Sequence, residues 1–365
     1  MRMSAGTKSP GGEKGQALIL FALGLAVILG FTAMAIDVGL LYEDRRHLQN
    51  TADAAALAGV GELPQDPPAA KAKAQEWALK HGLTLSEIKT IEVRSVLSTN
   101  DTVYVEVGQE FGWLFARVLG LTTSDVGAKA AARVGSYAGG HDFLPWAMLL
   151  GESACLAPNG DPLYDTSCVV KVGAGSAITG WYGALDADGT GGGANEYEKN
   201  IVDGAVDWVY CIEGDPAPAC AGAHTTIGAL SGNKVGPTDT GIIDRLAQGP
   251  QCDSSGNGID DFDEVLTPNP AGSPTYLVAC PDSPWLIIVP IVSYTSVPVS
   301  DVTIEGWALA YLNGYYCVGG TGANCTGTGH WEVEVQMVDA AYSQAGGFLG
   351  AYDPNNGIQL RRLVE

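Results

Sequence analysis

An uncharged apolar run near the N-terminus constrains the fold of this chain more than any other feature. Residues Ala17–Ile36 contain no charged side chain, and Asp37 follows them directly. A helix rises about 1.5 Å per residue, so a run of this length extends about 30 Å, the thickness of a bilayer's hydrocarbon core. We therefore predict a helix that crosses a membrane once.

The charges around the run predict its orientation. Three basic residues precede it, so the positive-inside rule places the N-terminus in the cytoplasm and the rest of the chain outside. Arg45 and Arg46 beyond the run reduce this asymmetry. A cleaved secretory signal is the alternative, but such signals have a shorter apolar region and end at a small-residue cleavage site. The full length of the run favours an uncleaved anchor or a pilin-type signal.

The helical pattern continues past the apolar run. No proline occurs between Asp37 and Gly59, and Gly61 and Pro64 end the pattern. We predict one helix over residues 16–62. Its extension carries apolar residues on one stripe, namely Val38, Leu41, Leu48, Ala52 and Ala55.

Small residues repeat at four-residue spacing within the apolar run, at Ala22, Ala26 and Gly30. Small residues on one face of a membrane helix let a partner helix approach closely. An Ala- and Gly-rich run also produces this spacing by chance. Both interpretations stay open from the sequence.

The segment from Lys14 to Gly59 resembles the N-terminal region of the Tad (tight adherence) pilus-assembly proteins of the TadE- and TadG-like kind. The matching features are the Gly15-Gln16 start, the Asp37-Val38-Gly39 triplet, Tyr42–Arg46 and Gln49–Ala58. The resemblance implies a component of a type IV-like Flp pilus system in the bacterial cell membrane. It also implies that other pilus subunits bind through the N-terminal helix.

The resemblance further implies a processing site. Related pilin-type subunits are cut after a glycine by a prepilin peptidase, and Gly15 followed by Gln16 is the matching position. The usual pilin pattern has a glutamate five residues after the cut, where this chain has Leu20, while the following aromatic is kept as Phe21.

Charge is distributed unevenly along the chain. Residues 1–140 carry 13 Lys and Arg against 14 Asp and Glu, whereas residues 141–365 carry 6 against 27. Such an acidic surface repels nucleic acid, which we exclude as a partner. We predict a cytoplasmic leader (1–15), an anchor helix (16–62), a small α+β domain (63–139) and an acidic, mainly β domain outside the cytoplasm (140–365).

Alternating apolar and polar residues, and short apolar runs separated by Gly, Pro, Asn and Asp, predict an α+β fold overall. In the small domain, which resembles the segment after the anchor of TadG-like proteins, we predict helices at 69–81 and 112–119 and strands at 88–97, 102–107 and 124–134. In the C-terminal domain we predict strands at 285–292, 302–312 and 331–338, separated by Gly- and Cys-rich loops.

All eight cysteines follow residue 150. An even number beyond a membrane segment predicts disulfides in an oxidising compartment. No pair is spaced as CxxC and no histidine is placed to build a usual zinc site, which argues against zinc. The sequence leaves the connectivity open, and pairing of neighbours would give Cys155–Cys168, Cys211–Cys220, Cys252–Cys280 and Cys317–Cys325.

The segment Asp253–Glu264, DSSGNGIDDFDE, matches the register of a calcium-binding loop. Such loops place oxygen ligands at positions 1, 3, 5, 7, 9 and 12 and a glycine at position 6, here Gly258. Asp260 stands at the eighth position, where many such loops have an apolar residue. An acidic surface turn without metal is the alternative. The predicted structural Ca²⁺ ligands are Asp253, Ser255, Asn257, the Ile259 carbonyl, Asp261 and Glu264.

No enzyme motif is present in the sequence. It lacks HExxH, GxSxG and Walker patterns, so we predict a protein without enzymatic activity. The leading hypothesis is a structural component or assembly factor of a Tad/Flp-type pilus, as a minor pilin or a membrane-anchored envelope protein. The alternative is an adhesin or ligand-binding domain on a pilin-type anchor, with a contact patch formed by Trp181, Tyr182, Tyr315 and Tyr316.

Overall fold

The fold is α+β, as predicted, with five α-helices and fifteen strands among the residues described. The computed structural model describes residues 14–171, 178, 180–189, 191, 193–206, 208–269, 275–321, 326–342, 347–353 and 356–364. The helices are α1 (Lys14–Val60), α2 (Pro67–Lys80), α3 (Ala194–Asp203), α4 (Val235–Leu246) and α5 (Phe262–Val265). The strands are β1 (Ile88–Arg94), β2 (Thr102–Gly112), β3 (Thr123–Gly140), β4 (Met148–Leu149), β5 (Ser167–Lys171), β6 (Trp181–Asp186), β7 (Tyr210–Cys211), β8 (Thr226–Ser231), β9 (Leu266–Pro268), β10 (Thr275–Val278), β11 (Leu286–Ser293), β12 (Asp301–Thr321), β13 (Thr326–Ala341), β14 (Phe348–Leu349) and β15 (Ile358–Leu363).

The helix α1 runs without a break for 47 residues, which confirms the prediction of one long N-terminal helix. It ends at Val60, just before the predicted glycine, and the chain then turns back into α2. Asp66 accepts a hydrogen bond from the Ala69 amide and so caps the N-terminus of α2. Most of the predicted leader, residues 1–13, lies outside the described residues.

The described strands form one mixed sheet. Its central order is β1-β2-β3-β15-β13-β12-β11-β4. Most neighbours are antiparallel, but β15 runs parallel to β13 and β4 runs parallel to β11. The last strand of the chain therefore lies between an early strand and a late one, which the local sequence pattern did not predict.

Two hydrophobic cores stabilise this arrangement. The helix–sheet core lies between α1, α2 and the first three strands, and its members include Leu48, Ala56, Ala74, Val105 and Ala130. The C-terminal core is larger and includes Phe143, Trp146, Trp307, Val335 and Leu360. Both cores lie against the same sheet, because β3 contributes Val134 to the first and Tyr137 to the second.

The predicted helix at 112–119 is wrong. β2 continues to Gly112 and pairs with β3 along its whole length, up to Gly112 opposite Thr123. Only Ala116–Leu119 form a helical turn, a short 3₁₀ segment closed by Gly120 in the left-handed region. The apolar residues of this segment suggested a helix by composition, but the long antiparallel pairing leaves only a connection between two strands.

The predicted C-terminal strands are present, and two of them, β12 and β13, are longer than expected. β11, β12 and β13 form an antiparallel set, and β12 and β13 pair from Leu309 opposite Val338 to Thr321 opposite Thr326. The ends of these strands are polar or Gly-rich, which hid them from a pattern based on apolar runs. The domain boundaries proposed from the sequence stay predictions.

Candidate functional site

The N-terminal half of α1 exposes its apolar side chains along the predicted membrane span. Among the described residues this is the one helix long and apolar enough to cross a membrane, and none of its most apolar 18-residue window is buried in the protein. Leu20, Phe21 and Phe31 are each about 70% exposed. Exposed apolar surface of this extent marks an interaction with lipid or with another protein.

The C-terminal half of α1 is packed against the protein. Leu48, Ala52 and Ala55 of the predicted stripe are fully buried in the helix–sheet core, whereas Val38 stays exposed. Gly59 lies so close to α2 that a Cβ atom there would meet the Ala70 carbonyl oxygen at 2.7 Å. From Leu48 onward one face of the extension is therefore occupied by contacts within the chain, whereas the apolar span is exposed.

Asp37 joins the end of the span to the loop between β2 and β3. It is 2% exposed, and its carboxylate accepts hydrogen bonds from the backbone amides of Leu114, Phe115 and Ala116 at 2.7–3.2 Å. Hydrogen bonds to a charged carboxylate are among the stronger ones in proteins. The sequence singled out Asp37 as the charge that ends the apolar run and as part of a family pattern, but it did not reveal this contact.

A groove of about 450 Å³ lies beside this contact. The helix side is formed by Gly30, Ala33, Met34 and Val38, and the loop side by residues of the β2–β3 connection. Apart from Asp37, whose carboxylate is already bound by the loop amides, the lining is apolar, so the groove fits acyl chains or apolar side chains.

The predicted calcium loop lies between α4 and α5, and four of its predicted ligands converge. The Ser255 hydroxyl lies 3.1 Å from an oxygen of Asp253 and 3.4 Å from an oxygen of Asp261. The Asn257 amide nitrogen lies 2.7 Å from Asp261. Backbone amides donate hydrogen bonds to Asp253 and lower the pKa of its carboxyl, and the Gly258 amide has the largest effect. An ionised carboxylate, a hydroxyl and an amide oxygen suit a Ca²⁺ ion chemically.

Glu264, the expected bidentate ligand, faces backbone amides instead. One of its oxygens accepts from the amides of Ser254 and Ser255, and the other accepts from the Asp261 amide. The hydrogen bond from the Ser254 hydroxyl is the largest cause that lowers the pKa of Glu264. In the part of the chain that the structure describes, no group of three or more His, Cys, Asp or Glu side chains is arranged to hold a metal ion. The calcium hypothesis therefore stays a prediction.

Asp260, the unexpected residue of the loop, has a structural role. Its side chain is fully buried and accepts hydrogen bonds from the amides of Gln251 and Cys252, while its carbonyl accepts from the Tyr311 hydroxyl. These contacts close the loop and attach it to β12. The exposed surface of the loop is thus held by a buried carboxylate that the calcium pattern does not include.

Three predicted disulfides are present, namely Cys155–Cys168, Cys211–Cys220 and Cys252–Cys280. Each closes a local loop of the C-terminal region, and the third ties the start of the calcium loop to the segment after β10. Cys317 is also disulfide-bonded. Its predicted partner, Cys325, lies outside the described residues.

The aromatic residues that the adhesin hypothesis invoked do not share one environment. Trp181 is 2% exposed, and its indole donates to the Ala184 carbonyl. Tyr316 is exposed, and its hydroxyl donates to Glu334. Trp181 therefore belongs to the C-terminal core and cannot contribute to a surface patch.

The described geometry defines a membrane-anchored protein: one exposed apolar helix precedes an α+β body whose C-terminal region is disulfide-bonded. Within that class, the family model Tad, described as putative Flp pilus-assembly TadE/G-like, matches residues 15–70. The match spans α1 and the start of α2, and it confirms the family predicted for this segment. It covers less than half of the chain. No curated protein and no solved structure matches the chain.

Proposed function

We propose that this protein is a structural component or assembly factor of a Tad/Flp-type pilus, without enzymatic activity. The observation that carries the proposal is the division of α1 within the matched segment. From Leu48 onward one face of α1 is buried against α2 and the sheet, whereas its N-terminal half exposes apolar side chains. A helix with this division holds a folded body at a membrane and keeps its span free for partner helices.

The free span has room for a close helix–helix contact. A Cβ atom added at Gly24 or Gly30 would meet no other atom of the protein within 4 Å. Membrane helices associate through such small residues because their backbones can approach. We propose that other subunits of the pilus system pack here, as minor pilins and assembly factors both require.

The C-terminal region then projects outside the cytoplasm. Disulfides persist in oxidising compartments, and three join pairs of described cysteines in this region. The excess of acidic residues keeps this part soluble and separated from anionic lipid headgroups.

Membrane fractionation of the full-length chain tests the anchor. The double variant Leu25→Arg/Ile28→Arg places two charges at the centre of the span, each costing about 3 kcal/mol. We expect wild type to resist extraction with alkaline carbonate and the double variant to enter the soluble fraction. Tyr42→Arg is the matched control, since Tyr42 is about 70% exposed on the same helix beyond the apolar run. A wild-type chain that is wholly soluble would overturn the proposal.

Two further measurements distinguish a pilus component from an adhesin and a processed anchor from an unprocessed one. A photo-crosslinking residue at Ala26 should capture another pilus subunit, whereas a glycan or host surface recovered with the chain would favour the adhesin. Mass spectrometry of the native N-terminus distinguishes the forms of anchor. A chain that starts at Gln16 has undergone pilin-type processing, and one that starts at Met1 is a permanent anchor.

A further inference from the structure

The connection Trp113–Leu121 between β2 and β3, called here the apolar loop, exposes large hydrophobic side chains. Val118 is 90% exposed and Leu119 is 80% exposed, and Leu114, Phe115 and Leu121 are also exposed. Arg117 is its one charged residue. Soluble surfaces rarely leave so many neighbouring apolar side chains in water, so the apolar loop is expected to contact a non-aqueous partner.

The position of the apolar loop identifies that partner. Its 3₁₀ turn contacts α1, and Val118, Leu119 and Leu121 face the groove whose other side includes Gly30 and Met34. The run Ala17–Ile36 is only as long as the hydrocarbon core is thick, so all of its turns are needed to cross the bilayer. Gly30 lies about 10 Å along the helix before Asp37. A loop beside this part of α1 is therefore at the depth of the outer lipid leaflet.

The backbone of the apolar loop is prepared for a medium without water. Seven of its nine amides donate within the protein: three to Asp37, and those of Trp113, Val118, Gly120 and Leu121 to carbonyl oxygens. Unsatisfied amides are costly in hydrocarbon, so this pairing removes the main obstacle to insertion. The Trp113 indole donates to Ser124, and Arg117 can extend its charged end to lipid phosphates.

We propose that the apolar loop inserts into the outer leaflet of the bilayer beside α1 and forms a second membrane contact. The inference rests on the proposed anchoring by α1 and adds a phospholipid surface as the partner of the body itself. One helix leaves a body free to swing, whereas a helix and an adjacent loop fix its orientation to the membrane. Asp37 is the residue that holds the two together.

Fluorescence quenching in liposomes tests this insertion. No described cysteine is free, so one introduced cysteine gives one labelling site. Full-length Leu119→Cys, labelled with an environment-sensitive fluorophore, is reconstituted in vesicles of phosphatidylethanolamine and phosphatidylglycerol. Phe31→Cys reports on the span, and Ile243→Cys, on the exposed face of α4, reports on the aqueous surface. We expect spin-labelled lipids to quench Leu119 as they quench Phe31, and aqueous iodide to quench Leu119 several-fold less than Ile243.

Three outcomes would overturn the proposal, and they are distinguishable. If iodide quenches the label at position 119 while spin-labelled lipids quench the label at position 31, the anchor is inserted and the apolar loop is in water. A Leu119 label protected from both quenchers means that protein, such as a second copy, covers the loop. A Phe31 label quenched by iodide overturns the anchor itself and the inference with it.

Discussion

Asp37 and Asp260 show how single carboxylates organise this protein. Both are almost completely buried, and both accept hydrogen bonds from backbone amides rather than forming an ion pair. Buried carboxylates are tolerated when several donors satisfy them. Asp37 fixes the apolar loop to the end of the span, and Asp260 fixes the calcium loop to β12. Neither role is visible in the sequence, because the sequence does not show which backbone amides a carboxylate meets in the folded chain.

The calcium hypothesis has its sharpest test at Glu264. Its side chain caps three amides in the structure, so Glu264→Gln is expected to lower the melting temperature even without metal. The calcium-specific result is therefore the rise from the melting temperature with a chelator to the melting temperature with calcium. We expect this rise in wild type and its loss in Glu264→Gln, measured by thermal melting of the full-length protein in detergent.

Asp263→Asn is the control for this test. Asp263 is exposed in the same loop but is not a predicted ligand, so this variant should keep the calcium-dependent rise. If calcium shifts none of the three proteins, the loop is an acidic surface turn and the hypothesis is wrong.

At the scale of elements, α1 is the best-predicted part of the molecule. An uncharged run and an unbroken helical pattern are local properties, so its type and length could be read from the sequence. The short connection at 112–119 was predicted wrongly, because pairing of β2 with the following strand β3 overrode a local preference. The contact between α1 and α2 also escaped prediction, although the spacing of Ala70, Ala74 and Ala78 marks the buried face of α2.

This helix contact predicts different outcomes for two glycine substitutions, at Gly59 and at Gly61. Helix propensity alone predicts that Gly59→Ala stabilises α1 by about 1 kcal/mol. The Cβ would, however, lie 2.7 Å from the Ala70 carbonyl oxygen and 3.0 Å from the Ala74 Cβ. We expect this overlap to dominate and to lower the free energy of unfolding by about 1–3 kcal/mol.

Gly61→Ala makes the same change where space is available, since its Cβ would meet the nearest atom at 3.5 Å. We expect an effect within about 0.5 kcal/mol. Thermal unfolding of both full-length variants in detergent, followed by circular dichroism, checks the pair. Stabilisation by Gly59→Ala would show that the two helices separate easily and that the close packing is not required.

At the scale of the whole molecule, the C-terminal strand β15 unites the two cores. It pairs with β3 along Leu360 opposite Gly135 and runs parallel to β13 beside Ala340. The preceding segment reaches the N-terminal elements, where the Tyr352 hydroxyl accepts a hydrogen bond from Gln65 and the Tyr352 amide donates to Ser98. β15 and the segment before it therefore connect the N-terminal elements of the body to its C-terminal strands.

Leu360→Ala tests whether the two cores unfold together. Leu360 is fully buried in the C-terminal core, on the strand that pairs with β3, and truncation of such a side chain costs about 2–5 kcal/mol. We expect one cooperative transition at a lower melting temperature. Leu363→Ala on the same strand, where the side chain is 41% exposed, should have a much smaller effect. Two separate transitions in Leu360→Ala would show that the cores are independent.

The sequence by itself determined the anchor, its extension and the family of residues 15–70, and it placed every cysteine in the C-terminal region while leaving their pairing to the structure. These features depend on composition, periodicity and short spacing, which are properties of adjacent residues. Only the tertiary structure decided which carboxylates are buried, where β15 lies and what the apolar loop faces. Asp37 is 77–79 residues from the amides that it binds, and Ser136 is 217 residues from Asp353. Contacts at such separations arise from the packing of the whole chain, and no local pattern encodes them.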